Sequence, residues 1–189
     1  MTATPQPVSI LWRRLDSPGH DAATLSAIDG GWQLEGVAAF LESGRPCQLS
    51  YRVTIDPLWQ TRGAEVHGWL GATPVDLQIA REGRHEWRLD GKEVRAVAGC
   101  VDVDLAFTPA TNLLPIRRLD LAVGASARVV AAWLPFPDLD LRPLDQVYRR
   151  AAADVYEYSS SGGTFKATLS VSPVGFVTHY SELWREQRG

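Results

Sequence analysis

An alternation of period two recurs from end to end of this chain and limits what it can fold into. Residues 48–55 show it best: Leu49, Tyr51, Val53 and Ile55 interleave with Gln48, Ser50, Arg52 and Thr54, which puts apolar side chains on one face of an extended strand and polar ones on the other. Similar runs occupy residues 10–15, 32–41, 64–70, 75–81, 85–89 and 101–107. Beyond Pro115 the pattern predicts a hairpin. Leu119, Leu121 and Val123 alternate with Arg118, Asp120 and Ala122, and Gly124-Ala125-Ser126 turns the chain into residues 128–134. Runs at 144–150, 155–159, 164–171 and 176–180 follow, broken by Gly162-Gly163 and Pro173-Val174-Gly175.

Short turns between consecutive strands predict an antiparallel meander, curled into a roll, barrel or sandwich. Parallel pairing would need crossovers of a dozen or more residues, for which the chain offers almost no room. Residues 22–28 and 151–154 could each hold a helical turn, but no 3.6-residue period is sustained. The expectation is therefore an all-β, mainly antiparallel fold with little helix. Reading every run as strand exceeds the usual content of about 20–25%, so some runs are expected to be shorter than drawn.

The 189 residues are enough for one core that buries about 70% of the unfolded chain's surface. We expect a flexible segment at 1–8 and a single domain at 9–186. A net charge of -3 argues against nucleic-acid binding, which needs a clustered basic surface. The first residues lack a charged and apolar leader pattern, and the apolar stretch at 129–137 is too short to span a bilayer. A soluble, cytoplasmic protein without an integral membrane segment is the expectation. Cys47 and Cys100 are expected to be free, buried thiols.

Signatures of phosphate-cradling loops, zinc proteases and nucleophile elbows are absent. His20, His67, His85 and His179 are scattered without metal-ligand spacing, so no metal or cofactor is implied. The segment from Gly99 to Leu119 is different. It gathers two carboxylates, a polar turn and an arginine pair between apolar runs. On a strand Asp102 and Asp104 share one face with Cα atoms about 6.8 Å apart, a spacing open to a hydrolytic pair, part of a calcium site, or two acceptors for arginine. The chain carries Arg-Arg pairs at 13–14, 117–118 and 149–150. In a strand one member of each would point inward and need a carboxylate or an anionic ligand. Structural pairing is therefore expected ahead of catalysis. Thr108-Pro109-Ala110-Thr111-Asn112 reads as a rigid connection between strands, or as a lip of hydroxyl and amide groups at a pocket mouth. Of the seven tryptophans most should be core, and a minority could line a cavity.

The run Gly-Cys-Val-Asp-Val-Asp-Leu at 99–105, Thr108-Pro109 with Thr111-Asn112, and Leu114-Pro115-Ile116-Arg117-Arg118-Leu119 resembles the central signature of a bacterial glycolipid-binding family, once a domain of unknown function. Looser matches flank it: Tyr51-Arg52-Val53 with Asp56 and Trp59, then Gln146-Val147-Tyr148, Phe165-Lys166-Ala167 and the ending from Gly175 to Trp184. Leu113 and Ser172-Pro173 depart from the pattern, both at turns. The resemblance implies an antiparallel spiral β-roll with a lipid- or glycolipid-binding role, and it transfers no catalytic residue.

The leading expectation is thus a non-enzymatic roll holding an amphiphile, a glycolipid or lipid, in an aromatic and aliphatic cavity. Its head group would lie near Asp102, Asp104, Thr111, Asn112, Arg117 and Arg118, with Trp59, Trp69 or Trp87 as wall. The alternatives are a hydrolase of a sugar or lipid ester using Asp102 and Asp104, and a protein-interaction module using exposed strand edges.

Overall fold

A computed structural model describes residues 5–83 and 85–188. Of the segment 1–8 expected to be flexible, residues 1–4 lie outside the described residues. The first half is a meander of eight strands: β1 (Val8–Arg14), β2 (Gly19–Ile28), β3 (Gly31–Glu42), β4 (Arg45–Ile55), β5 (Thr61–Leu70), β6 (Thr73–Glu82), β7 (Glu86–Leu89) and β8 (Lys92–Glu93). After β9 (Val103–Leu105) and a helix α1 (Leu113–Leu119), a second meander runs through β10 (Ser126–Leu134), β11 (Arg142–Ala152), β12 (Val155–Ser160), β13 (Phe165–Val171), β14 (Val177–Tyr180) and β15 (Trp184–Glu186). The last strand pairs antiparallel with the first, Trp12 opposite Glu186 and Arg14 opposite Trp184, which fuses both meanders into one curled, unclosed sheet.

Alternation sets the faces. In β4, Cys47, Leu49, Tyr51, Val53 and Ile55 are buried while Arg52 is exposed. Strand occupies 60% of the described residues, well above ordinary content, although some runs are shorter than drawn, as the three-residue β9 within 101–107 shows. A single sheet wrapped around one interior segment leaves little chain for connections.

That interior segment carries the main corrections. Residues 101–107 supply only a three-residue strand, and β9 pairs in parallel with β10, Val103 opposite Ala132. The crossover that parallel pairing demands exists at 106–125, and it passes through the inside of the roll, where residues 107–116 are all buried. The expected first arm of a hairpin is instead α1. Pro115 sits in its first turn, where no intrahelical N–H is lost, and Asp120 ends it in the left-handed region at φ 38°. Because Leu113, Leu114, Pro115 and Ile116 are all buried, no amphipathic stripe marks the helix. Residues 22–28, considered for a helical turn, belong to β2, where Asp21, Ala23 and Leu25 face inward. Residues 151–154 close β11 and turn into β12.

Aromatic contacts tie the interior segment to the sheet. Phe107 meets Tyr51 edge-on at 5.9 Å and Phe136 at 6.0 Å, and Phe136 meets Phe40 at 5.4 Å. Cys47 and Cys100 are free and buried, and burial pushes each thiol up to about 11. Among the described residues no helix is long and apolar enough to cross a membrane.

Candidate functional site

The crossover turns most polar side chains of the central segment onto its own scaffold. Arg118, on the last turn of α1, reaches back to Asp102 through two parallel bonds, Nε to Oδ1 at 3.0 Å and Nη2 to Oδ2 at 2.5 Å. Asp102 is 1% exposed. Burial pushes its carboxyl up, against the pull of the Arg118 guanidinium. The Thr111 hydroxyl accepts the Leu105 N–H at 3.2 Å, and Asn112 donates its amide to the Tyr148 hydroxyl at 2.9 Å. Thr108 donates to Asp21, which also receives the Tyr51 hydroxyl at 3.0 Å. Asp21 is fully buried with hydroxyl partners and, among the described residues, no cation, and burial raises its carboxyl to about 6.

Asp104 behaves differently from Asp102 although the two residues stand only two apart in the sequence, Asp102 just before β9 and Asp104 within it. It keeps part of its surface open and forms the floor of a cleft of about 320 Å³. Gln146, an inward residue of β11, donates its amide to Asp104 Oδ2 at 2.6 Å. Burial lifts the Asp104 carboxyl to about 6, the nearby Asp102 charge adds to the rise, and Gln146 opposes it. The Tyr158 hydroxyl sits beside Ser160, Gln146 and Tyr180, and burial holds both phenols protonated, with their pKa values raised. Trp133, Phe165 and Trp184 contribute rings to the walls. Phe165 packs edge-on against Tyr158 at 6.0 Å and is 37% exposed at its outer side.

The structure brings together Asp104, Thr108 and Asn112 in this cleft. It places Arg117 and Trp59 elsewhere, in a second groove where the Arg117 guanidinium lies 4.6 Å from the centre of the Trp59 ring. Trp87 is 1% exposed and gives its indole N–H to the Cys100 carbonyl at 3.0 Å. Trp69 stands on β5, 41% exposed. Gln146, Tyr158, Tyr180, Trp133 and Trp184 were not among the site residues expected from the sequence. One signal for them existed. In β12, Tyr156, Tyr158 and Ser160 alternate onto the buried face, so polar groups occupy inward positions of a strand, where apolar side chains are the rule.

A family model described as "Putative glycolipid-binding" matches residues 9–186. A crystal structure of a DUF1089 family protein from Pseudomonas aeruginosa is similar at 31% identity and a TM-score of 0.78, over 99% of this chain and 95% of that one. No curated protein matches the chain.

Proposed function

Because this chain belongs to the glycolipid-binding family over residues 9–186, we propose that it binds the sugar head of an amphiphile in the Asp104 cleft and does not turn it over. The observation that carries this reading is the Asp104 carboxyl, bonded to Gln146 and flanked by phenols, beneath a rim of aromatic rings. Sugar hydroxyls are held by such planar acceptors and donors, while the apolar C–H faces of a pyranose pack on indole and phenyl rings. A cleft of about 320 Å³ takes a ring or two and no more. Residues 107–116 are buried inside the roll, so on this reading the acyl part lies outside, against rim groups such as Phe165. This reading differs from the division expected from the sequence, in which the acyl part enters a cavity.

Glycoside hydrolysis uses two carboxyl groups about 5–9.5 Å apart. Both Asp102 oxygens are engaged by Arg118, so the acid expected to pair with Asp104 is already committed to the scaffold, which favours binding over catalysis.

Short-chain alkyl glycosides, monomeric in water, test the reading by NMR titration, beside native mass spectrometry of freshly purified protein. We expect saturable shifts at Trp133 and Trp184, weakened at least tenfold in Asp104→Ala and Trp133→Ala with unfolding temperatures preserved. No retained lipid and no response across a panel of glycosides, or equal binding by both variants, would overturn it. Release of free sugar from a bound glycoside would replace it with the hydrolase.

A further inference from the structure

The second groove, about 790 Å³, is built from parts that the sugar cleft does not use. Arg117 extends from the exposed side of α1 and lies over the Trp59 ring, which in turn stacks on Trp32 at 4.9 Å and 19°. Trp59 has φ 63°, a conformation strained for an aromatic residue. Asp56 enforces it by accepting the Leu58 and Gln60 N–H groups at 2.8 and 2.9 Å. Opposite, Gly175 has φ 98°, and a Cβ there would stand 2.9 Å from Arg117 Cδ. Only glycine leaves room for the arginine in this position. The guanidinium is thus fixed along its stem and over its face, yet among the described residues it has neither a hydrogen bond nor a carboxylate partner.

Two further features point the same way. The Ser172 hydroxyl, in the turn that contains Gly175, is buried at the groove wall without a hydrogen-bond partner. Arg150 also borders the groove. It is anchored by the carbonyls of Leu121 and Ala153, and its nearest carboxylate, Asp120, is 4.0 Å away. A preorganised planar cation and an idle hydroxyl, with a second guanidinium on the same wall, match a tetrahedral oxyanion. The exposed carboxylates Asp120 and Asp154 on the rim oppose a polyanion and limit the site to one group.

We propose that this groove binds a single phosphate group, between the Arg117 fork and the Ser172 hydroxyl. The group can arrive as free phosphate or as a phosphorylated lipid head. The site stands independently of the sugar cleft.

The test follows the Trp59 indole N–H and the Arg117 Nε–H by NMR during titration with inorganic phosphate and with dioctanoyl phosphatidic acid below its micelle concentration. We expect saturable shifts at both, with affinity falling at least tenfold in Arg117→Ala and nearly as far in Arg117→Lys, which keeps the charge and loses the fork. Ser172→Ala should weaken binding severalfold, and Asp104→Asn should leave it unchanged. Gly175→Ala supplies a second route, displacing Arg117 without removing it, and should cost as much. Tighter binding of the lipid assigns the source to a membrane component, and equal binding assigns it to free phosphate; both support the site. No shift with either probe, or shifts that persist in Arg117→Ala, would overturn it.

Discussion

Residues that look alike in the sequence are separated by their partners. Asp102, Asp104 and Asp21 are all inward carboxylates, but only Asp102 meets a guanidinium. Removing Arg118 strands a carboxylate that is 1% exposed, a change that typically costs about 3–5 kcal/mol. Arg118→Ala should therefore lower the denaturant midpoint strongly, and Asp102→Asn in the same chain should restore part of the loss. A double-mutant cycle checks this, and strictly additive losses would refute the pairing. Asp21 carries the opposite sign. Its carboxyl rises from 3.8 to about 6 on folding, so the native state holds the proton more tightly than the unfolded chain. Stability contributed by this group is present at low pH and is lost as pH rises from about 4 through 6, reaching a cost of roughly 3 kcal/mol near pH 7. Asp21→Asn should therefore gain stability relative to the natural chain across that window, with a constant difference above it, in urea titrations at half-unit steps. A difference that stays flat from pH 4 to 7 would mean that Asp21 ionises without penalty.

At the scale of elements, legibility follows burial geometry. Strands with one buried face, such as β4, announce themselves because water and core select alternate residues. The arginine pairs show the same logic: Arg13 and Arg149 are exposed while Arg14 and Arg150 are half-buried. Arg117 and Arg118 split the same way, but because they lie on a helix. That helix was illegible because its buried residues 113–116 are contiguous, and a short element surrounded by protein has no polar face to give it a period. β2 was obscured by its Ala22-Ala23, good helix formers overridden by pairing with Val37 and Gly36. The site divides similarly. Asp104, Thr108 and Asn112 were legible because polar groups cluster there in sequence, whereas Gln146, Tyr158 and Tyr180 come from three strands that meet only after the sheet has curled. The helix and hairpin assignments of the crossover can be separated by truncation. Leu113 and Leu114 are fully buried, and Leu→Ala at either should cost about 2–5 kcal/mol. Val123 is 60% exposed, and Val123→Ala should change stability by less than about 0.5 kcal/mol. Equal costs at 113 and 123 would contradict the buried crossover.

The whole molecule depends on how the two ends of its sheet are managed. An open sheet exposes unpaired edge groups that invite association with other chains. One end, β8, is two charged residues, Lys92 and Glu93, too short and too polar to template another strand. The other end, β9, carries the buried Val103 and Leu105 on either side of Asp104, and Thr61 at the start of β5 clasps it. The Val103 N–H donates to the Thr61 hydroxyl at 3.0 Å, and the Thr61 N–H donates to the Val101 carbonyl at 3.2 Å. This fully buried threonine brings β5 of the first meander to β9, beside the second, and holds Asp104 at the cleft floor between Val103 and Leu105. Thr61→Val keeps the shape and the backbone bond while removing the only acceptor that the Val103 N–H has among the described residues. Leaving a buried donor unsatisfied costs about 1–3 kcal/mol, and the loss should fall first on this end of the sheet. Hydrogen exchange reads the difference. The amides of β2 to β4, which open with the global transition, should exchange faster only by the change in global stability, whereas Val103 and Leu105 should accelerate further as the clasp opens locally. Uniform acceleration throughout would make Thr61 an ordinary core residue, and the β9 end of the sheet would be held by its pairing with β10 alone.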